Sequence, residues 1–445
     1  MKRDLTSGNI TSALLGFAGP MIIGNLLQQI YNIADTLIVG RCLGEDALAA
    51  VGSTYTLTTF LYSIIIGLCM GSGALVSYCY GEKNIKRLRS SINISFILIG
   101  TVAVVAEMIT LCTTSGILKL LKTPPEIMAI TEDYVKIILS GIVFIFLYNF
   151  YAYMLRGLGN SVTPLIFLGA ASVINIVLDI IFVGFMDFGV KGAAYATLIA
   201  QAVSGIGLAL YSVVKERELR IKLSDIKFNR KDIFEVVRMS SAASVQQSVM
   251  NFGILMIQGL VNSFGTTVMA AFTVAVKIDT LAYMPAQEFG NAFSMFISQN
   301  YGARKNDRIK ECVKKSFQIS GAFCIAVSAI VVVFSKNLMR IFVSAGETQI
   351  IKTGAQYLVT EGAFYVGIGL LFLLYGYYRG INKPEMSLIL TVISLGTRVA
   401  LAYILSGFET IGVFGIWIAI PIGWILADIT GCIYMKKCIR TDNNL

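Results

Sequence analysis

Stretches of about twenty apolar residues recur along this chain from one end to the other, and that is the length of helix a bilayer's hydrocarbon core requires. They fall at 14–40, 51–79, 91–113, 134–155, 165–186, 192–214, 236–262, 268–298, 316–335, 355–378, 385–406 and 412–435. Hydrophobic residues make up 56% of the 445 positions and charged residues 14%. A soluble domain of this size needs a charged exterior, which such a balance does not supply. The reading is an all-α polytopic membrane protein with twelve transmembrane helices and no sizeable soluble domain. The short polar N-terminus is followed by a span without a small-residue cleavage site, so that span is expected to stay uncleaved.

The net charge of +10 sits mainly in short loops. Bases cluster after span two (Lys83, Lys86, Arg87, Arg89), after span six (Lys215, Arg217, Arg220, Lys222, Lys227, Arg230, Lys231) and after span eight (Arg304, Lys305, Arg308, Lys310, Lys314, Lys315). The opposite loops hold only Arg41, Lys119, Lys122, Lys191, Lys336, Arg340 and Lys352. Lysine and arginine favour the cytoplasmic side, so both termini are expected in the cytoplasm. The placement points to anionic lipid as the partner surface, not nucleic acid. The chain has no histidine, and none of its eight cysteines forms a Cys-x-x-Cys pair. Zinc, haem and Cys/His nucleophile chemistry therefore have no footing, and an enzyme is not expected.

One long polar interval divides the spans into two sets of six. The expected organisation is an N-terminal lobe over 1–214, a cytoplasmic linker over 215–235 and a C-terminal lobe over 236–445. The halves are repeats. An offset of 221 carries Tyr80-Gly81 onto Tyr301-Gly302, Gly44 onto Gly265, Ala49-Ala50 onto Ala270-Ala271, Ser77 onto Ser298 and Arg87 onto Arg308. An offset of 223 carries Arg156-Gly157 onto Arg379-Gly380, Gly189-Val190 onto Gly412-Val413, Gly192 onto Gly415 and Ala196 onto Ala419. Six spans per copy make the repeats parallel, so the expected architecture is two parallel six-helix lobes related by a pseudo-two-fold axis along the membrane normal. Two such lobes around a central cavity are a transporter's design.

Span one carries one acid, Asp35, in an otherwise apolar stretch. An acid at the centre of a membrane helix costs on the order of 2.5–3.5 kcal/mol on insertion scales, which marks such a residue as a candidate functional site. Counting from the span ends at 1.5 Å per residue places Asp35, Asp179 and Thr197 about 7–11 Å below the outer boundary. Asn175 precedes Asp179 by four residues and shares its helix face. Two carboxylates, an amide and a hydroxyl are hard oxygen ligands that suit Na⁺ or a shared proton, not a soft transition metal. The same offsets place Met256, Arg398, Ala402 and Ile420 opposite Asp35, Asn175, Asp179 and Thr197, so cation coupling is expected in the first lobe alone. The second lobe has charges of its own, Lys277, Asp279, Glu288 and Arg398, the first, second and fourth of which either compensate one another or line the cavity. Pro20, flanked by Gly16, Gly19 and Gly24, is the candidate hinge of span one, since proline removes a helix hydrogen bond.

Gly19-Pro20 followed by YNIADTLIVGRCLGEDALAAVG, then SYCYGEKN, RGLGNSVTP, NIVLD and GVKGAAYAT, resembles the multidrug and toxic compound extrusion (MATE) family. The second half adds SQNYGARKNDR, RGINKP and GVFGIWIA, and the resemblance covers nearly the whole chain. It implies a twelve-helix, two-lobed efflux carrier driven by inward Na⁺ or H⁺. In the prokaryotic branch with an acid pair in the first lobe, it implies a cation site at Asp35, Asn175, Asp179 and Thr197 and a bend at Pro20. The chain departs from the branch whose acids lie in spans seven and ten, since Gln246 and Gln247 stand in span seven.

The expected activity is antiport of organic, cationic and amphiphilic compounds against H⁺ or Na⁺ by alternating access. The setting is the bacterial or archaeal plasma membrane. Small-molecule drugs and lipid are the expected partners, the chain acts as a monomer, and no cofactor beyond the coupling ion is called for. Candidate cavity residues are Tyr31, Asn32, Gln246, Met256, Lys277, Asp279 and Arg398, with Met250, Phe150 and Tyr283 as further apolar surface. The alternative is a lipid-linked-sugar flippase of the same superfamily, which needs a strongly basic cavity that only Lys277 and Arg398 are placed to supply. A channel is disfavoured by the internal duplication and the absence of polar pore rings.

Overall fold

The structure, a computed structural model, describes residues 3–120, 123–220, 229–344 and 346–442. Lys122, Lys222 and Lys227, and the middle of the inter-lobe linker, lie outside them. Fourteen α-helices and no strand are found among the described residues. They are α1 (Ile10–Leu43), α2 (Glu45–Gly81), α3 (Ile85–Leu120), α4 (Met128–Leu139), α5 (Ile142–Gly157), α6 (Val162–Asp179) and α7 (Gly189–Lys215), then α8 (Arg230–Asn262), α9 (Thr266–Gly302), α10 (Asn306–Phe342), α11 (Thr348–Gly362), α12 (Tyr365–Gly380), α13 (Pro384–Ser406) and α14 (Phe414–Asp442).

Two of the twelve apolar segments are each built from two helices. Span four is α4 and α5, broken at Ser140-Gly141, and span ten is α11 and α12, broken at Ala363-Phe364 with a bend of 52°. The two breaks are 223 residues apart, the repeat's own offset. A break inside a membrane exposes backbone amides that must find partners. Glu107 of α3 supplies one, its Oε2 accepting the Val143 amide at 3.0 Å. Ten spans are long and apolar enough to cross a bilayer, and the bent pair makes an eleventh. The twelfth rod, α8, has 33 residues but carries the polar run Ser240-Ser241, Ser244, Gln246-Gln247-Ser248 and Asn251.

The backbone bears out the duplication. Among the described residues, eight of the ten with positive φ form repeat pairs: Gly44 (83°) with Gly265 (95°), Lys83 (57°) with Arg304 (57°), Gly159 (87°) with Asn382 (60°), and Gly189 (59°) with Gly412 (52°). Gly44 and Gly265 each precede the helix that follows them, in a conformation side chains disfavour. Both halves thus turn corners with the same local geometry.

The chain resolves into two compact units. The first holds residues up to Ser7 and Leu15–Ser244; the second holds Gly8–Leu14 and Val245 onward, so the boundary falls inside α8. In the first unit α2 packs on α5, and α5 and α6 on α7. Phe96, Phe146, Phe150 and Tyr151 form an aromatic cluster there, with centroid separations of 5.3–6.3 Å, which places Phe150 in packing. The first half of α8 lies close against α2. Ser72 and Ser240 hydroxyls meet at 2.6 Å, Ser244 Oγ donates to the Ile64 carbonyl at 3.0 Å, and a Cβ at Gly71 would fall 2.2 Å from the Met239 oxygen. Such small-residue contacts are how membrane helices approach without a hydrophobic drive.

In the second unit α9 packs on α12 and α13 on α14. Its core includes a stack of Phe272 on Trp417 at 5.5 Å, with Tyr357 edge-on to both. The eight cysteines are free thiols, five of them buried.

Candidate cation site

Three helices of the first unit place the predicted oxygen set in one spot. Asp35 sits on α1, Asn175 and Asp179 one turn apart on α6, and Thr197 on α7. The Asp35 and Asp179 carboxyl groups face each other. Asn175 Nδ2 donates to Thr197 Oγ1 at 3.3 Å. Asp179 is fully buried and Asn175 is 2% exposed, while Asp35 and Thr197 are partly buried.

Four oxygens in this cluster are buried without a hydrogen-bond donor: Asp35 Oδ1, both Asp179 oxygens and Asn175 Oδ1. Burying one such acceptor costs about 1–3 kcal/mol, so a set of four calls for something electropositive among them. A proton shared between the carboxylates, or a small hard cation, fits that donor set. Among the described residues no group of three or more His, Cys, Asp or Glu assembles that could hold a metal ion.

Local structure explains why the set is dry at one side. α6 continues past Asp179 as a π-helical segment, Ile180–Phe185, widening the turn beyond the acid. Such widened turns are frequent at functional sites. One turn from the site residues, Val39, Val183 and Ala193 come together with Ala47 as a buried apolar cluster, flanked by Ile38, Leu43, Val51 and Val190. Val39 follows Asp35 by four, Val183 follows Asp179 by four, and Ala193 precedes Thr197 by four. The three helices thus present polar residues at one level and an apolar plug at the next.

The structure adds residues that sequence reading missed. Tyr134 of α4 lies in the field of both Asp35 and Asp179, together with Tyr31 and Tyr62. Gln201 of α7 lies beside Tyr62, and Gln201 Oε1 and the Tyr62 hydroxyl are both buried. Gly141, at the break in span four, makes room for Gln201, since a Cβ there would stand 2.5 Å from Oε1. Gln201 follows Thr197 by four, a spacing that could have been read from the sequence.

The remaining candidates separate. Tyr31 is in the neighbourhood of the first-unit site, and Asn32 Nδ2 donates weakly to Gln29 Oε1 at 3.5 Å. In the second unit, Asp279 is buried and accepts a hydrogen bond from the Tyr365 hydroxyl at 2.7 Å. Its charged neighbours are Glu361 and Arg398, so Asp279 and Arg398 do come together. Lys277 is exposed and stands outside this group, and Met256 is exposed as well. Gln246 is buried and lines a small pocket with Gln247 and Met250. Glu361 of span ten, 1% exposed, and buried Asp428 of α14 are further acids inside the spans. Pro20 lies inside the continuous helix α1.

A family model described as MatE matches the chain twice, over residues 20–181 and 242–404, one match to each repeat. The Probable multidrug resistance protein YpnP of Bacillus subtilis is 30% identical over 392 residues, covering 88% of this chain and 87% of that protein. The Probable multidrug resistance protein NorM of Thermotoga maritima is 26% identical over 426 residues, covering 94% and 90%. A crystal structure of MATE in complex with MaL6 superposes with a TM-score of 0.93 at 26% identity, covering 99% of each chain. Two matched repeats, full-length relatives and a shared fold leave one assignment: the chain is a multi-pass membrane protein of the MatE family of transporters.

Proposed function

We propose that this protein exports organic, cationic and amphiphilic compounds from the cell by antiport against H⁺ or Na⁺, with the coupling ion held at Asp35, Asn175, Asp179 and Thr197. The observation that carries the reading is the cluster of four donorless buried oxygens between α1 and α6. The names of the relatives YpnP and NorM, both multidrug resistance proteins, support the class of cargo.

In this mechanism the ion offsets one of the two facing negative charges and favours one conformational state, while the drug favours the other. Coupling needs nothing more than that difference in preference. Asn175 and Thr197 orient the neutral ligands, and the Val39–Val183–Ala193 plug keeps water from one side of the site. The termini face the cytoplasm and the protein resides in the plasma membrane, as the loop bases imply. A flippase for pyrophosphate-linked sugars finds less support, because Arg398 stands with two buried acids and Lys277 lies apart.

Efflux from proteoliposomes with Na⁺ and pH gradients imposed separately tests the proposal. One gradient alone should drive export of a lipophilic cation in the wild type, and neither should drive it in Asp35→Asn. Export driven by neither gradient in the wild type contradicts antiport.

A further inference from the structure

Asp428 sits in the apolar stretch Trp424 to Met435 of α14 and is 7% exposed. Its Oδ1 is buried without a hydrogen-bond partner, and no Lys or Arg pairs with it among the described residues. The ionisable groups around it are Tyr375 of α12 and Cys432 one turn along its own helix. Gly367 of α12 lies beside it, where a Cβ would stand in ordinary contact, 3.5 Å, with Asp428 Oδ2.

The repeat shows that the scaffold does not call for an acid at this place. The offset of 223 sets Asp428 on Gly205, where a Cβ would stand 2.5 Å from the Phe144 backbone oxygen, so the first half has no room for a side chain at this place. In the second half a carboxyl stands at that position, and the residue matching Phe144 is Gly367. Asp279 and Glu361 of the same unit have a guanidinium and phenols beside them, whereas Asp428 has no fixed base to neutralise it. An ionised carboxylate there is strongly disfavoured, so a mobile positive charge must compensate it whenever it is enclosed.

Tyr375 supplies a connection. Its side chain is buried, its hydroxyl lies beside Thr391 and within electrostatic reach of Asp428, and it also lines the small pocket that Gln246, Gln247, Gln287 and Asn291 share with Arg379. Amide groups of this kind hold ordered water.

We infer that Asp428 is a second proton-binding site of the carrier, loaded and unloaded from the amide-lined pocket by way of the Tyr375 hydroxyl. This deepens the antiport reading and rests on it. The proton moves as H⁺ between water in the pocket and the Asp428 carboxylate, with no other bond made or broken. The site adds to the Asp35–Asp179 pair and does not replace it.

The test is a count of protons released when tetraphenylphosphonium binds the purified full-length protein in nanodiscs, read with an indicator dye in weak buffer. The linkage between binding and protonation predicts that Asp428→Asn releases about one proton fewer per carrier than wild type, with Asp428→Glu restoring the count. Tyr375→Phe should keep the count and slow the release about tenfold or more, as expected when a proton-relay group is lost. A wild-type count in Asp428→Asn, with efflux intact, overturns the assignment and leaves antiport standing. Absence of any gradient-driven efflux in the wild type overturns antiport instead. Should Asp428→Asn not fold, Asp428→Ser and Tyr375→Phe carry the test, and wild-type count and rate in both refute the site.

Discussion

Asn175 Nδ2 donates to Thr197 Oγ1 at 3.3 Å, and that bond fixes which end of the amide remains for the carboxylates. With its nitrogen held by α7, Asn175 leaves Oδ1 buried and without a donor, next to the two acids on α1 and α6. The amide thereby serves the cluster as an oxygen ligand.

Removing the anchor should loosen that ligand. Thr197→Val keeps the shape and deletes Oγ1, at a net loss of about 0.5–1.5 kcal/mol for one hydrogen bond. The expected outcome is a severalfold rise in the concentration of driving ion needed for half-maximal efflux, with expression unchanged. A proteoliposome titration of the driving ion checks it.

Gly141 predicts a steric effect at a distance from the acids. An alanine there would put its Cβ 2.5 Å from Gln201 Oε1 and 3.0 Å from a Leu198 methyl. Overpacking of this kind costs about 1–3 kcal/mol, so Gly141→Ala should lower the thermal midpoint and weaken transport together. Gly52, with nothing within 4 Å of a built Cβ, is the matched control and should tolerate alanine.

The approach of α2 to the first half of α8 gives a third expectation. Gly71→Ala would drive a Cβ to 2.2 Å from the Met239 carbonyl oxygen, backbone that cannot swing aside. Loss of folded protein on size-exclusion chromatography is expected, and full retention would show that the two helices part more readily than their contacts indicate.

Pro20 tests motion. Proline inside α1 leaves one helix hydrogen bond unmade. If the helix flexes there, Pro20→Ala should slow turnover while leaving drug affinity near its original value. Unchanged transport kinetics, measured with binding in parallel, would retire the hinge.

The sequence made the scaffold legible because membrane length and repeat offset are both one-dimensional. Twelve apolar segments became twelve rods, and the offsets of 221 and 223 reappear as paired positive-φ residues such as Lys83 and Arg304. Asp35, Asn175, Asp179 and Thr197 could be brought together by counting turns from the span ends. What counting could not show is which face an isolated polar residue occupies. Glu361 lies within span ten by position, but only the fold reveals Asp279 and Tyr357 around it. Lys277 and Asp279 are two residues apart, which on a helix sends them to different faces, and only the second is buried. The breaks in spans four and ten fall at Ser140-Gly141 and just after Glu361-Gly362, turn-prone pairs set in runs long enough to be read as single spans.

The Asp179→Asn variant tests the central claim most directly, since Asp179 is the wholly buried member of the pair. Gradient-driven efflux of a lipophilic cation would be measured in proteoliposomes beside wild type, with drug binding recorded on the same preparation. The account predicts that efflux falls to the level of the empty gradient control while the drug still binds. Wild-type, gradient-dependent efflux in that variant would contradict it.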